Sequence, residues 1–267
     1  MSQVVLITGA SSGIGKSIAE FLAAKNFTVY GTSRNPKSSM LNGVNLVALD
    51  VTKTETIKAA VATILDREGR LDVLINNAGK GITGPLEEIP EEELKSVFDT
   101  NYFGPIAVMK AVLPTMRKQR SGLIINVTSI AGYMGLPYRS AYSATKGALS
   151  LTTEALRMEL KEFNVKVTNV APGDFATNIA SGRYHAPLRE DSDYATNYGK
   201  SLALMDEHVD GGEDPMLMAK AVFDIINTKD PQVDYKVGAF TQRISTFLKG
   251  VLPSKTYERL LLKHYKL

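Results

Sequence analysis

The sequence feature that most constrains the fold is an alternation of short apolar runs with helical patterns, from residue 4 to about residue 170. Runs that are apolar throughout are typical of strands buried on both faces of a parallel sheet. The helical stretches between them supply the crossovers that such a sheet needs. The pattern predicts an α/β fold with a single doubly wound parallel sheet flanked by helices. The predicted strands are 4–8, 28–32, 45–49, 73–76, 122–128 and 166–170, and the predicted helices lie near 14–25, 54–68, 91–99, 105–119 and 140–163.

The length of the chain suits one large domain of this class. It has 267 residues, of which 44% are apolar and 22% are charged, an ordinary globular mixture. We therefore predict one Rossmann-type domain over residues 1–267, with its core at 4–178. A further helix is predicted at 215–227, and a last strand at 235–237.

The segment from 179 to about 214 interrupts the alternation. Serine, glycine, aspartate, tyrosine and charged residues dominate it. Long irregular insertions in compact domains are usually binding loops, lids or mobile segments. We expect a substrate lid here, and a passive surface loop is the alternative.

The C-terminal segment, about 250–267, has leucines interleaved with basic residues. This pattern predicts a terminal helix with Ser254 as its N-cap. Basic amphipathic helices can lie on membranes. Packing on the body of the domain or on a subunit partner is the favoured interpretation here, so membrane contact is expected to be unlikely.

Charge and residue usage exclude several classes of function. The 31 Lys and Arg residues are scattered among 28 acidic ones, so the net charge of +3 does not indicate a nucleic-acid partner. The chain has no cysteine, which excludes disulfides and thiolate catalysis. His185, His208 and His264 lack the spacing of a zinc site, so no metal is expected. Residues 1–3 lack a basic leader region, and we expect a soluble, cytoplasmic protein.

A glycine-rich turn joins the first predicted strand to the first helix in residues 8–15, Thr-Gly-Ala-Ser-Ser-Gly-Ile-Gly. Gly9 can adopt backbone angles closed to other residues, Gly13 lets the main chain approach a pyrophosphate, and Gly15 permits close helix packing. The helix N-terminus would then face the anion. The turn predicts a dinucleotide site, although a tight connection without ligand has the same local sequence.

The end of the second predicted strand selects the dinucleotide. About 20 residues after Gly13, a carboxylate would bind a ribose 2′-hydroxyl, but the chain has Ser33 and Arg34 there. A guanidinium favours a 2′-phosphate, so NADP(H) is predicted over NAD(H). Arg34 could instead be a solvated loop charge. Asp50, which ends the third strand, is placed for an adenine amine or as a helix N-cap.

Four polar residues at fixed spacing indicate a proton-transfer site. Tyr142 and Lys146 are four residues apart and share one helix face, where an ammonium favours the ionised phenol. Ser129 ends a predicted strand, and Asn101 precedes a helix. Each has an ordinary structural interpretation by itself, as packing aromatic, surface lysine, strand-end hydroxyl and cap. Together they are difficult to attribute to chance.

In these segments the chain resembles the short-chain dehydrogenase/reductase family over roughly residues 4–178. The region 30–34 is similar, more loosely, to NADP-preferring members such as the 17β-hydroxysteroid dehydrogenases. The matching motifs are Thr8-Gly9-x3-Gly13-x-Gly15, Asn76-Asn77-Ala78-Gly79, Asn101, Ser129, Tyr142-x3-Lys146 and Pro172-Gly173.

The resemblance implies NADP(H)-dependent hydride transfer between nicotinamide and a carbonyl or secondary alcohol. Tyr142 would exchange the proton, Lys146 would assist it and bind the nicotinamide ribose, and Ser129 would bond the carbonyl oxygen. Asn101 would hold a water that links Lys146 to solvent. The cofactor residues implied are Gly9, Ser11, Ser12, Gly13, Ile14, Gly15, Ser33, Arg34, Asp50, Val51, Asn77, Ala78, Gly79, Tyr142, Lys146, Pro172, Gly173, Phe175 and Thr177.

The substrate is expected to be hydrophobic, such as a steroid, a retinoid or an acyl chain. The chain offers apolar and adaptable residues outside the sheet for its wall. They are Tyr133, Met134, Leu136, Pro137, Tyr138, Phe175, Ile179, Met205, Met216 and Met218.

Two other functions fit the same motifs. A 3-oxoacyl thioester reductase would need basic residues at the pocket mouth for an acidic carrier protein, and Arg117, Lys118 and Arg120 could supply them. A dinucleotide-sensing module without turnover is the second alternative, although it has no need of a proton donor. By the resemblance, a homodimer or homotetramer is expected through the helices at 105–119 and 140–163.

Overall fold

The main sheet confirms the predicted α/β fold. A computed structural model describes residues 2–176 and 182–267, and in this part of the chain eight strands form one sheet in the order β10-β8-β7-β5-β1-β2-β4-β3. The strands are β1 (Val4–Ile7), β2 (Thr28–Ser33), β3 (Met40–Leu41), β4 (Val44–Ala48), β5 (Val73–Asn76), β6 (Ile82–Thr83), β7 (Gly122–Val127), β8 (Val165–Pro172), β9 (Tyr184–His185) and β10 (Asp234–Val237).

The strand order places a switch point between β1 and β5. Val5 of β1 pairs with Val29 of β2 on one side and with Val73 of β5 on the other. All pairings in this sheet are parallel except that of the short edge strand β3 with β4. In open parallel sheets, ligands bind outside the carboxyl ends of the strands at such a point. The fold therefore locates the site before any side chain is considered.

Helices cover both faces of the sheet. One apolar core lies between the sheet and α2, α4 and α5, and the other lies between the sheet and α1 and α7. The helices are α1 (Gly13–Ala24), α2 (Thr54–Glu68), α3 (Glu91–Phe98), α4 (Gly104–Gln119), α5 (Ser140–Glu159), α6 (Ala195–Asp210), α7 (Met216–Asn227), α8 (Phe240–Val251) and α9 (Ser254–Tyr265). The predicted helices and the predicted last strand are confirmed.

A row of asparagines crosses the buried centre of the sheet. Asn76, Asn126 and Asn169 are in register on β5, β7 and β8. Asn76 donates to Asn126 at 2.8 Å, and Asn126 donates to Thr153 of α5 at 2.8 Å. Buried polar groups of this kind are stable only when they are paired. The row therefore fixes α5, the predicted catalytic helix, against the strands.

Three details differ from the sequence predictions. The segment predicted to be irregular contains α6 and β9, and β9 pairs with Ile82 and Thr83 of β6 in a second, two-stranded sheet. Helix α8 was not predicted, so the C-terminal helical region starts at Phe240 rather than near 250. Ser254 is the first residue of α9, and Pro253 takes the capping position.

The terminal helix α9 packs on the body of the domain, as predicted. Its residues Tyr257 and Tyr265 are buried. Among the described residues, no helix combines the length and the apolar character needed to cross a bilayer.

Candidate active site

The predicted site residues converge at the carboxyl edge of the sheet. Gly9 follows β1, Asn77 follows β5, Ser129 follows β7 and Gly173 follows β8. These four strands are neighbours in the sheet. Motifs that are up to 164 positions apart in the sequence are therefore brought to one edge.

The glycine-rich turn is held by the segment after β5. Asn77 donates from its side chain to the carbonyls of Thr8 and Gly9, both at 3.0 Å. Gly9 has a φ of +68°, and a β-carbon at Gly15 would collide with Asn77 and with the Gly9 carbonyl. The turn is thus closed to larger residues, as expected for a cradle around a pyrophosphate.

The turn also presents groups suited to an anion. Ser11 and Ser12 are exposed, and α1 begins directly after them with no acidic residue in its first turn. The free N–H groups and the dipole of a helix N-terminus favour negative charge. The residues present therefore fit a dinucleotide pyrophosphate.

A hollow of about 290 Å³ lies beside this turn and the end of β2. Ser33 and Lys37 line it together with Asn35, while Arg34 is exposed next to them. Sequence reasoning singled out Ser33 and Arg34 but missed Lys37 and Asn35. The signal that could have found them was their position, within four residues of the strand end that selects the dinucleotide.

Asp50 does not cap the helix that follows it. Its Oδ1 accepts from the backbone N–H and the hydroxyl of Thr52, at 3.0 and 2.7 Å, and Lys53 occupies the capping position of α2. Partial burial by itself would raise the pKa of Asp50, but the Thr52 bonds and the charges of Lys53 and Arg34 hold it below its ordinary value. Asp50 is therefore a carboxylate near Arg34 at the edge of the site.

Lys146 is the most deeply buried charged group of the site. Only 5% of its surface is exposed, and its Nζ donates to the Val127 carbonyl at 3.0 Å. The same Nζ lies 6.0 Å from the centre of the Tyr142 ring. Burial lowers the pKa of Lys146, and the interaction with Tyr142 partly opposes that effect. Tyr142 and Lys146 therefore lie close together on α5, and their joint role in proton transfer stays a prediction.

Ser129 lies next to this helix. It is buried at the end of β7 and accepts from the Ala131 N–H at 3.1 Å, which caps a 3₁₀ turn over Ile130–Tyr133. Gly132 of that turn packs against the backbone of Lys146 and Gly147 with no space for a side chain. Because a hydroxyl can accept one bond and donate another, this contact leaves the Ser129 proton available for a second partner, and its bond to a substrate oxygen stays a prediction.

Asn101 is fully buried in a π-helical turn over Asp99–Phe103, between α3 and α4. Its side chain accepts from the Lys80 N–H at 2.8 Å and donates to the Lys80 carbonyl at 2.9 Å and to Thr145 at 3.2 Å. These bonds fix the loop after β5 beside α5. The role in holding water remains a prediction, and the bonds to Lys80 were not anticipated from the sequence.

The segment after β8 is clamped by the unpredicted helix α8. Gln242 accepts from the Asp174 N–H at 3.1 Å and donates to its carboxylate at 2.6 Å. Gly173 donates its N–H to Val237 at 2.8 Å. The Phe175 side chain is buried in the core, so only its backbone is available to a cofactor. Thr177, predicted to hold the nicotinamide end, lies outside the described residues.

Two apolar clusters flank the proton-transfer residues. One joins Tyr133, Met134 and Leu136 to Tyr257 of α9, and the other joins Tyr138 and Tyr142 to Tyr198 of α6. Tyr138 and Tyr198 have ring centres 5.3 Å apart. The segment predicted to be a lid thus contributes Tyr198 to the apolar surroundings of Tyr142, and its role at a substrate stays a prediction.

Some predicted wall residues lie elsewhere. Met218 is fully buried between α7 and the sheet, with the side chain of Phe175 in the same core. Met205 is buried in α6, Met216 is half-exposed at the start of α7, and Ile179 is outside the described residues. The apolar character of these residues in the sequence did not distinguish those that line a pocket from those that pack in the core.

The predicted basic cluster for a carrier protein is at the wrong end of the molecule. Arg117 and Lys118 are in the last turn of α4, which leads into the amino end of β7. Ser129 follows the opposite end of that strand. Arg117 stacks over Phe163, and Arg120 donates to the Glu162 carbonyl. These residues do not lie at the pocket mouth.

Comparison with known proteins agrees with this geometry. The sequence pattern described as "short chain dehydrogenase" matches residues 3–187. The chain belongs to the short-chain dehydrogenase family. The 3-ketodihydrosphingosine reductase of Bacteroides thetaiotaomicron is 42% identical over 264 residues, which cover 98% of each chain.

Solved structures of short-chain dehydrogenases have the same fold. One from Streptomyces avermitilis has a TM-score of 0.84 and 34% identity, covering 99% of this chain and 97% of the other. One from Burkholderia cenocepacia, in complex with NADP, has a TM-score of 0.75 and 26% identity, covering 97% and 98%. This short-chain dehydrogenase is accordingly a nicotinamide-dependent oxidoreductase of carbonyl or alcohol groups.

Proposed function

We propose that this short-chain dehydrogenase uses NADPH to reduce the ketone of a long-chain lipid, of the 3-ketosphingoid-base type. The observation that carries the reaction class is the convergence of Ser129, Tyr142 and Lys146 beside the glycine-rich turn. The substrate class is supported by the 42% identity, over 98% of each chain, to a 3-ketodihydrosphingosine reductase. The sequence left a steroid, a retinoid or an acyl chain as expected substrates. The proposal selects a substrate with an acyl-like chain from these three.

The chain's own residues provide for the proton. When bound, the nicotinamide supplies the hydride for the carbonyl carbon. The Ser129 hydroxyl donates to the carbonyl oxygen, and the Tyr142 hydroxyl protonates that oxygen as it becomes an alcohol. Lys146 stabilises the negative charge that this transfer leaves on the phenol oxygen, from the position fixed by Val127.

The preference for NADPH is supported by the end of β2. Ser33 stands where a carboxylate would repel a 2′-phosphate, and Arg34 and Lys37 add two cationic side chains around the neighbouring hollow. Charge-assisted bonds of this kind are about twice as strong as neutral ones. NADH offers these side chains no phosphate to bind.

The substrate class is also supported by the two apolar clusters. A long aliphatic chain can be accommodated between flexible and aromatic side chains such as Met134, Tyr138 and Tyr198. Polar groups would then be needed only near the reacting carbon. The arrangement suits a lipid that carries its reacting ketone near one end of a long aliphatic chain.

The test follows NADPH oxidation with 3-ketodihydrosphingosine, a steroid ketone, retinal and a 3-oxoacyl thioester, and repeats the best substrate with NADH. We expect turnover with the sphingoid ketone and a higher kcat/KM with NADPH. Tyr142→Phe should lower kcat by roughly 10²–10⁴-fold, because it removes the proton donor. Tyr30→Phe is the matched control, since its hydroxyl bonds Glu68 away from the site.

Other outcomes separate the alternatives. A higher kcat/KM with the thioester or the steroid would contradict the lipid ketone as substrate. Full activity in Tyr142→Phe would contradict the assigned proton donor. NADPH binding without turnover of any carbonyl compound would favour the sensing module.

A further inference from the structure

Helix α8 exposes its apolar face. The side chains of Phe240, Ile244, Phe247 and Val251 are 71%, 39%, 63% and 58% exposed. They are separated by four, three and four residues, so they form one stripe along the helix. A stripe of large apolar side chains in contact with water usually marks an interaction surface.

The opposite face of α8 points inward and carries polar side chains together with Leu248, which packs on the cluster of Met134 and Tyr257. Gln242 makes two hydrogen bonds to Asp174. Thr246 is 7% exposed and donates to the Arg243 carbonyl. The helix therefore cannot be rotated to bury its apolar stripe without breaking the Gln242 bonds. Its orientation is fixed by the segment that follows β8.

The segment that contains this stripe is strongly basic. Residues 236–267 contain seven Lys and Arg residues and one acidic residue, Glu258, so the segment carries +6 while the whole chain carries +3. Arg243 and Lys236 line one surface hollow with Phe240 and Ile244. The hollow also contains Asp234, whose carboxylate accepts a hydrogen bond from the Asn169 side chain. Anionic phosphate groups are the complement of such a surface.

We propose that the apolar stripe of α8 and its basic neighbours dock this protein on the surface of an anionic lipid bilayer. The four apolar side chains would enter the boundary between headgroups and acyl chains, while Arg243 and Lys236 would contact the phosphates. This departs from the sequence expectation that membrane contact is unlikely. That expectation rested on α9, and helix α8 had not been recognised.

A second copy of the chain is a poorer occupant for this surface. A twofold interface places the same patch of both copies face to face. Two segments of +6 would then oppose each other, and like charges across an interface are costly. A bilayer with anionic lipids is complementary both to the apolar stripe and to the positive charge of this segment.

The docking surface lies beside the candidate active site. Lys236 stacks over Tyr133 with its Nζ 4.7 Å from the ring centre, and Tyr133 is in the turn that Ser129 caps. The inference stands on the surface alone and does not rest on the proposed substrate. If the substrate is a lipid ketone, docking brings the site to the phase in which that lipid is dissolved.

Flotation of the purified full-length protein with vesicles tests the proposal without substrate or cofactor. We expect binding to vesicles of phosphatidylcholine mixed with phosphatidylglycerol, and weaker binding to phosphatidylcholine alone or at high salt. Phe240→Ser with Phe247→Ser should weaken binding to the vesicles roughly tenfold or more. The free energy of burying one phenylalanine side chain already corresponds to about that factor in affinity. Arg243→Gln with Lys236→Gln should weaken it roughly fivefold per charge.

Met40→Ser with Leu41→Ser is the matched control. These side chains are 58% and 50% exposed on β3, at the edge of the sheet opposite β10. This variant should bind vesicles as the unmodified protein does. Thermal unfolding of each variant establishes that it is folded.

Four results would overturn the proposal. The first is no flotation of the unmodified protein with anionic vesicles at low salt, and the second is equal flotation of the phenylalanine double variant. The third is a lower solution mass of that variant, which would make the stripe a contact between copies. Binding of an acidic carrier protein in place of vesicles, abolished by the same substitutions, would equally reject the membrane.

Discussion

At the scale of single residues, Lys146 combines two properties that usually oppose each other. It is a cation that must hold its charge beside Tyr142, yet it is almost completely buried. Burial disfavours the charged form of a lysine. The carbonyl of Val127 compensates in part by accepting from the Nζ. The site therefore uses a cation that costs stability in order to hold a positive charge near the phenol.

This cost predicts a dependence of stability on pH. The pKa of Lys146 is lowered in the folded chain from its ordinary value of 10.5. Between the two values the unfolded chain binds more protons than the folded one, so the free energy of unfolding rises with pH in that window. Below the lowered pKa both states are charged, and the cost is fully present.

The measurement compares denaturant unfolding of Tyr142→Phe with that of Tyr142→Phe/Lys146→Met at a series of alkaline pH values. The shared Tyr142→Phe background removes the phenol beside residue 146 from both proteins. We expect the stability of the lysine-containing protein, relative to the methionine variant, to increase as pH rises toward 10.5. A constant or decreasing difference would show that burial does not lower this pKa.

The residues of the candidate site could largely be located from the sequence, because their roles depend on local spacing. Tyr142 and Lys146 are one helical turn apart, and Gly9 and Gly15 belong to one turn of chain. Residues that act through distant partners gave no such signal. Gln242 meets Asp174 across 68 positions, and nothing in the sequence near either residue indicates the contact.

At the scale of elements, one hydroxyl adds to the backbone pairing of β1 with β5 by binding the segment that follows β5. Thr8 is 1% exposed, and its Oγ1 accepts from the N–H groups of Asn77 and Ala78, at 3.0 and 3.1 Å. These bonds set the segment that in turn holds the Gly9 carbonyl. The glycine-rich turn therefore has its shape imposed from a neighbouring strand.

Replacing Thr8 by valine should destabilise the protein by about 2–6 kcal/mol. Valine keeps the shape but leaves two N–H groups without an acceptor, at about 1–3 kcal/mol for each unsatisfied buried group. Urea unfolding measures the change. Thr8→Ser keeps the oxygen and is the control, with a smaller loss from the missing methyl group. Equal losses in both variants would show that packing, not hydrogen bonding, holds the segment that follows β5.

The elements that sequence reasoning missed have a physical explanation. Helix α8 reverses the usual pattern, since Phe247 is exposed while Thr246 is buried. Helix α6 lies in a stretch rich in residues that are typical of loops, and it is held by tertiary contacts such as the Tyr198 hydroxyl with the Ala186 carbonyl, at 3.1 Å. Tertiary packing can override weak local propensity.

At the scale of the whole molecule, exposed apolar residues form a second surface, distinct from the α8 stripe. Leu151 and Met158 are seven residues apart on one face of α5 and are 68% and 72% exposed. Phe103, in the turn before α4, is 56% exposed. The family resemblance implies that α4 and α5 pair with a second copy. Side chains of this kind are typical of the apolar centre of such an interface.

Pairing of copies through α5 can be tested by reversing the character of this face. We expect the unmodified protein to have the solution mass of a dimer or tetramer by light scattering. Leu151→Glu with Met158→Glu should reduce the mass, to 29.0 kDa if α5 forms the interface of a dimer, because an isologous contact would bring four buried carboxylates together. Phe240→Ser with Phe247→Ser is the matched control and should keep the original mass. An unmodified protein of 29.0 kDa, or a glutamate variant of unchanged mass, would show that this face does not join the copies.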